Sequence, residues 1–264
     1  MSGGTDMTEN SEMNESDTFC GCIGCEIIKV KDLIRTAVWE SGAEGVVIGI
    51  SGGIDSAVAA ALAVKSLEAK RVLGVFMPAR EPSPDEADAR LLAERLGIEL
   101  LTVPLEKPLK ELMAAPNITD TPMSAGNASA RLRMTVLYNI AAARNCLVCG
   151  TSNKTEYLIG YSTKWGDGAA DIQPLLHLYK KDVYALAEEL EIPESIITKA
   201  PSAGFFAGQT DEKEIGMTYE ELDNALFSLE LNDGVPETPL EERAAELVKK
   251  SAHKRKPPAN RFKW

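Results

Sequence analysis

Residues 45–64 read Gly45-Val46-Val47-Ile48-Gly49-Ile50-Ser51-Gly52-Gly53-Ile54-Asp55-Ser56-Ala57-Val58-Ala59-Ala60-Ala61-Leu62-Ala63-Val64. A β-branched apolar run, a loop of small residues and an Ala-rich stretch follow one another without a break. That order predicts a strand whose C-terminal end opens through a tight loop into a helix. In such a loop the glycines let backbone N–H groups turn inward, and the helix N-terminus adds partial positive charge. The result is an anion cradle, with Ser51 and Ser56 as hydroxyl donors. Asp55 is the odd member, because a carboxylate repels phosphates unless a divalent cation stands between them. The loop therefore reads as a site for a metal-complexed polyphosphate. Its spacing fits neither G-x-G-x-x-G nor G-x-x-x-x-G-K-[ST]. The plain alternative is a Gly-rich turn that binds nothing, and the flanking Asp and two Ser argue against it.

Outward from this loop the chain alternates strand and helix. A helix is expected over 27–41, with Ile27, Val30, Ile34, Ala37 and Val38 on one face. Further strands are expected at 71–77, 99–105 and 146–151. Ser83 reads as an N-cap, Pro84 as the first helical residue and Glu86 as the partner in a capping box, with the helix ending near Gly97. A Pro-containing loop covers 115–125 and a long helix 127–144. Beyond 178 the pattern is helical, over 180–190, 193–199, 219–229 and 240–251. Thr218 with Glu221 and Thr238 with Glu241 read as capping boxes. Residues 200–211, rich in Gly and small side chains, read as a mobile loop. The expectation is an α/β fold, a doubly wound parallel sheet with helices on both faces and a helical C-terminal part. Ligands in such sheets bind outside the C-terminal ends of the strands. Two of those ends carry polar signatures, 51–56 and 151–156.

The net charge of −12 argues against a nucleic-acid partner, which calls for a basic footprint. No apolar run has the length of a membrane span, and the polar, acidic N-terminus lacks a signal-peptide pattern, so a cytoplasmic protein is expected. Residues 1–25 read as a disordered tail ahead of one domain over 26–264. The five cysteines are expected as thiols. The cluster Cys20-Gly21-Cys22-Ile23-Gly24-Cys25 has metal or cluster character but lacks a fourth nearby ligand. Cys149 sits in an apolar strand pattern and reads as core.

Residues 151–174 form the second constellation: Thr-Ser-Asn-Lys-Thr-Glu-Tyr-Leu-Ile-Gly-Tyr-Ser-Thr-Lys-Trp-Gly-Asp-Gly-Ala-Ala-Asp-Ile-Gln-Pro. In one reading Glu156, at a helix start near a strand end, faces Asp55 across the sheet edge and shares a divalent cation with the polyphosphate. Taken alone it reads equally as a first-turn carboxylate that favours the helix dipole. Likewise Lys180 and Lys181 read either as a solvated helix start, electrostatically poor for cations, or as functional groups.

The S-G-G-x-D-S loop resembles that of the ATP pyrophosphatases. The stretch T-K-W-G-D-G-A-A-D-I-Q-P-L is more specific, and with the loop it closely resembles the ammonia-dependent NAD synthetases. The stretches 126–134, 180–183, 199–203, 218–223 and 253–258 match as well, so the resemblance covers about 26–264. It implies that Mg²⁺-ATP adenylates the nicotinate carboxylate of deamido-NAD and that ammonia then displaces AMP. It further implies that Gly49, Ile50, Ser51, Gly52, Gly53, Ile54, Asp55 and Ser56 hold the ATP phosphates, joined by Thr151, Lys180 and Ser202. Asp55 and Glu156 would be Mg²⁺ ligands. Arg131, Lys164, Asp171, His253 and Lys254 would contact deamido-NAD. Lys180 would stabilise developing phosphate charge, and a buried Asp167 would orient or deprotonate ammonium. A homodimer is implied too.

No nitrilase-type amidase segment is expected, so ammonia should be the direct nitrogen donor. The basic stretch 249–256 reads either as a solvated end or as an element folded over its own or a neighbouring site. Ser202 stands where many relatives carry Thr and keeps the hydroxyl, and the resemblance does not extend to Phe205-Phe206 or to the acidic tail with its cysteines. The competing readings are another ATP pyrophosphatase, such as a tRNA thiolase or the synthetase part of a GMP synthetase, and a nucleotide-binding protein without catalysis. The acidic charge opposes the tRNA enzyme, and Asp167 is superfluous in a pure binder.

Overall fold

The computed structural model describes residues 21–80, 82–202 and 210–257. Cys20 with the preceding tail, Phe205-Phe206 and most of the 200–211 loop lie outside the described residues.

Four strands form one parallel sheet: β1 (Gly45–Gly49), β2 (Val72–Phe76), β3 (Glu99–Thr102) and β4 (Cys146–Cys149), in the order β3-β2-β1-β4. The chain leaves β1 towards β2 on one side and later returns with β4 on the other. This reversal of strand order between β1 and β4 leaves a crevice at their C-terminal ends.

Alternation along β1 sends its side chains to opposite faces. Val46 and Ile48 pack with helices α1 (Ile23–Ser41), α2 (Ile54–Leu67), α7 (Lys180–Glu189) and α8 (Glu194–Ile197). Val47, with Leu73 and Val75 of β2, packs against Met134, Leu137 and Ala141 of α5 (Pro122–Arg144). Helix α2 is apolar nearly all round and is buried through most of its length. A separate apolar cluster joins α6 (Lys154–Ile159), α10 (Tyr219–Leu231) and α11 (Pro239–Arg255) through Ile159, Leu222, Leu226 and Ala244. Short helices α3 (Glu86–Leu96), α4 (Glu106–Met113) and α9 (Asp211–Ile215) complete the described chain.

The architecture is the one expected from the alternation of elements, with several shifted boundaries. Helix α1 begins at Ile23, because the Cys22 sulfur accepts the Cys25 N–H and supplies an N-cap that the periodicity of apolar residues does not register. Residues 23–25 thus belong to the helix and not to the tail. Helix α5 starts at Pro122, capped by the Thr121 hydroxyl. The expected box at Ser83 and Glu86 does not form: Asp85 stands at the N-cap of α3, and Glu86 bonds Arg90 one turn on. The Ser83 hydroxyl instead accepts the Asp85 N–H at 3.3 Å, two residues on, and the Asp85 carboxylate is held by Lys199. Strands β3 and β4 stop at Thr102 and Cys149, short of the expected ends. The boxes at Thr218/Glu221 and Thr238/Glu241 are both present, and Cys149 is buried.

Candidate active site

The first loop leaves β1 at Ile50 and enters α2 at Ile54. Its shape depends on Gly52, whose φ of +78° lies in the left-handed region and whose added Cβ would stand 2.9 Å from the Asp85 backbone oxygen. The two serines act first within the loop. The Ser56 hydroxyl donates to the Gly53 carbonyl at 2.9 Å and accepts the Ser51 N–H at 3.2 Å, while the two hydroxyls meet at 3.0 Å. Ser56 is buried and Ser51 exposed, so Ser56 shapes the cradle from behind and Ser51 faces outward.

The second strand end brings in α6. Asn153 is its N-cap: the side-chain oxygen accepts the Glu156 N–H at 2.9 Å, and the side-chain N–H₂ donates to Asp55 at 2.8 Å. One buried amide thus ties Glu156's helix to the first loop. Between the two carboxylates lies Lys180, whose side chain is 2 % exposed. Its ammonium bonds Asp55 at 2.6 Å and Glu156 at 3.3 Å and sits 4.8 Å from the Tyr219 ring centre. A buried ammonium survives only when charge partners offset its lost hydration. Here burial pulls the Lys180 pKa down, and Asp55 followed by Glu156 more than restores it, so the lysine stays charged. Burial, then the Asp55 charge, pushes the Glu156 carboxyl up to about 8 against the opposing pull of Lys180.

Lys180 is placed by the start of α7. Thr155 accepts the Lys180 N–H at 3.0 Å, and the buried Asp223 of α10 accepts the Lys181 N–H at 2.9 Å and the Thr155 hydroxyl. Asp223 supplies the negative charge that a helix N-terminus favours, which lets a lysine occupy the first turn.

Asp55, Glu156 and Lys180 line one cavity of about 530 Å³ at the ends of β1 and β4. Its walls contain all eight residues 49–56 together with Thr151, Glu156, Asp167, Lys180 and Ser202, residues far apart in sequence. Asp167 accepts the Thr163 N–H at 2.9 Å. The residue is exposed at the cavity wall, yet its carboxyl is withdrawn from water enough that burial raises it above the usual range, against the Thr163 N–H, Arg133 and Lys254.

The other five expected residues do not line this cavity. Four of them form a neighbouring group built on backbone contacts. Arg131 donates to the Lys164 carbonyl at 3.3 Å, Lys164 to the His253 carbonyl at 2.7 Å, and Lys254 to the Gly160 and Ser162 carbonyls at 2.7 and 2.6 Å. The basic end of α11 therefore folds over the 160–164 segment of its own chain. Asp171 uses both oxygens locally, accepting the Val148 N–H at 2.7 Å and the Tyr138 hydroxyl at 3.2 Å. Tyr138 is correspondingly pushed up to about 12, by burial and then by Asp171.

Several cavity residues were not singled out from the sequence. On α5 it is Arg133, half-buried and bonded to the Met77 carbonyl at 3.2 Å, that lines the cavity. One turn earlier the Ser129 hydroxyl, buried and without a hydrogen-bond partner, lines the same wall. Lys199 reaches Asp85 at 2.6 Å, Asp88 at 3.0 Å and the Gly52 carbonyl at 3.4 Å, bracing the first loop from behind. Asn153 had a local signal, an Asn three residues ahead of a Glu at a helix start. Ser129 and Arg133 fall in the matching stretch 126–134 but received no role, because an i, i+4 pair in a helix is legible only once the face it presents is known.

Asp55 and Glu156 form a carboxylate pair and not a full cage. Among the described residues no group of three or more His, Cys, Asp or Glu side chains could hold a metal. A two-carboxylate set suits Mg²⁺, which keeps waters and takes its remaining ligands from substrate phosphates.

Comparisons with known proteins bear on the family. Residues 26–258 match the family model described as NAD synthase. The NH(3)-dependent NAD(+) synthetase of Methanoregula boonei is 47% identical over 234 residues, covering 88% of this chain and 94% of that protein. A solved NMN synthetase from Francisella tularensis superposes with a TM-score of 0.82 at 40% identity, over 91% of this chain and 99% of that one. The NH3-dependent NAD synthetase of Campylobacter jejuni superposes with a TM-score of 0.78 at 33% identity, over 90% and 98%. A carboxylate pair and an ammonium beside a glycine loop at the switch point, on a chain matched over this length, make the protein a member of the NAD synthase family.

Proposed function

We propose that this chain is a carbon–nitrogen ligase that amidates deamido-NAD with ammonia at the expense of ATP, yielding NAD, AMP and pyrophosphate. The observation that carries the reading is the convergence of Asp55, Glu156 and Lys180 at the first loop, in the cavity that also holds Asp167.

Amide formation from a carboxylate needs a leaving group in place of hydroxide, and adenylation of the substrate carboxylate supplies one. Backbone N–H groups of the first loop and the Ser51 hydroxyl are assigned to the phosphate oxygens. Lys180 is a cation held at a fixed place where charge develops on the α-phosphate and pyrophosphate, so little reorganisation is needed as that charge forms. Mg²⁺, held by Asp55 and Glu156, would neutralise phosphate charge and orient the triphosphate. Ammonia reacts as the free base, so Asp167, reachable from the cavity, is assigned to bind ammonium and accept its proton. The group of Arg131, Lys164, His253 and Lys254 is assigned to deamido-NAD, with Asp171 bracing β4 beside it. Thr151 and Ser202 are assigned to ATP. A homodimer and a cytoplasmic location complete the proposal on family resemblance; the structure contributes that no described helix is long and apolar enough to cross a membrane.

The test is a coupled assay with Mg²⁺-ATP, deamido-NAD and ammonium, reading NAD and AMP, with glutamine replacing ammonium in parallel. NAD from ammonium and not from glutamine is the expected result. The likeness to an NMN synthetase at 40% identity makes nicotinate mononucleotide a necessary second acceptor. A higher kcat/KM with the mononucleotide would reassign the substrate. AMP formed only with tRNA or another acceptor would move the chain to a different ATP pyrophosphatase branch.

A further inference from the structure

The cysteine cluster of the N-terminal segment plays no part in the reaction above. Cys22 is the N-cap of α1, a helix of 19 residues, and Cys25 follows one turn on. Residues three apart in a helical turn share a face. The two sulfurs stand 2.7 Å apart, with the Cys25 thiol donating to Cys22, and Cys22 also accepts the Cys25 N–H at 3.3 Å. Both side chains are exposed. A thiolate at Cys22 is favoured by the bond from the Cys25 thiol, then by the Cys25 N–H; together they hold its pKa below the ordinary thiol value. Cys149 is the contrast: buried in the core, it is pushed up to about 12 by burial alone. The pair therefore combines proximity, access and a differentiated nucleophile, which is what thiol–disulfide exchange requires.

We propose that Cys22 and Cys25 form a thiol–disulfide exchange site whose co-reactants are low-molecular-weight disulfides of the glutathione disulfide class. The Cys22 thiolate attacks one sulfur of the disulfide, forming a mixed disulfide and expelling one thiolate. Cys25 then gives up its proton and attacks the Cys22 sulfur, closing the intramolecular disulfide and expelling the second thiolate. Two protein thiols are oxidised, one external disulfide is reduced to two thiols, and the two protons pass to solvent and the leaving thiolates. Neither cysteine lines the active-site cavity, so the site can be tested without disturbing ATP use.

The experiment uses the full chain, as the parent protein and as C20S, equilibrated in glutathione redox buffers, quenched by alkylation and mapped by peptide mass spectrometry. The expected result is loss of both alkylatable thiols to a Cys22–Cys25 disulfide in parent and C20S alike, reversed by dithiothreitol. C25S should accumulate a glutathione adduct on Cys22, and C22S should accumulate the Cys25 adduct more slowly at the same pH. Unchanged circular dichroism and NAD-forming activity in each variant confirm that the fold is intact. Glutathione adducts on both cysteines without an internal disulfide, pairing of Cys20 with either, or a retained zinc ion that protects the thiols would each overturn the proposal.

Discussion

Replacing Lys180 by Met removes one charge and keeps the side-chain volume, and the structure says what is left behind. Asp55 loses its 2.6 Å ion pair and retains the Asn153 bond, with its side chain 19 % exposed. Breaking a buried ion pair by removing one partner costs about 3–5 kcal/mol. The remaining bond and partial exposure of Asp55 place this case at the lower end, about 3 kcal/mol. For a domain of this size 1 kcal/mol shifts Tm by about 2–4 °C, so Lys180→Met should melt about 6–12 °C below the parent in the absence of ligands. Loss of a preorganised charge at the reacting phosphates should also lower kcat by about 10²–10³. Differential scanning calorimetry without nucleotide gives the first number and pyrophosphate release the second. A parental Tm would show that the ammonium is not a buried counter-charge, and a parental rate of pyrophosphate release would remove it from the chemistry.

Glu156 makes ligand-free stability depend on pH. Its folded carboxyl lies near 8, above its ordinary value of 4.5, so the folded state holds a proton the unfolded chain releases. The associated stability is fully present below about 4.5 and lost as pH rises through about 8; Tm should fall over that window and Glu156→Gln should flatten the fall, whereas an unchanged slope in the variant would place the titration elsewhere. Gly52→Ala puts a Cβ within 2.9 Å of Asp85 at a φ of +78°; the left-handed conformation alone costs about 1–2 kcal/mol, and the KM for ATP should rise while that for ammonium holds, with a parental Tm and KM contradicting the role of this glycine. Asp167→Asn should preserve adenylate formation and slow amidation by about 10²-fold; rapid-quench measurements separate the steps, and equal loss of both would exclude Asp167 as the ammonium base.

Much of this site was legible in the chain because its parts obey local rules. The strand, glycine loop and helix over 45–64 use residue types with one stereochemical solution, and the resemblance of 151–174 pointed to a second strand end. What was not legible depends on faces and on distance in sequence. The spacing of Arg131 and Arg133 cannot say which of them lines the cavity; the packing of α5 on the sheet decides it. Asp223 is 42 residues from the lysine N–H it caps, and Lys199 is 147 from the Gly52 carbonyl it approaches. The expected cap at Ser83 failed for a local reason, since its hydroxyl accepts the Asp85 N–H two residues on.

The sequence alone determined the order of elements, the glycine loop after β1 and the pair of polar strand ends, because backbone sterics and side-chain periodicity act over a few residues. Only the tertiary structure decided the charge arrangement: an ammonium between two carboxylates, an accessible Asp167, and a basic helix end folded over its own chain. Lost hydration must be offset by specific partners brought from distant segments, and that offset exists only after the sheet has joined β1 to β4.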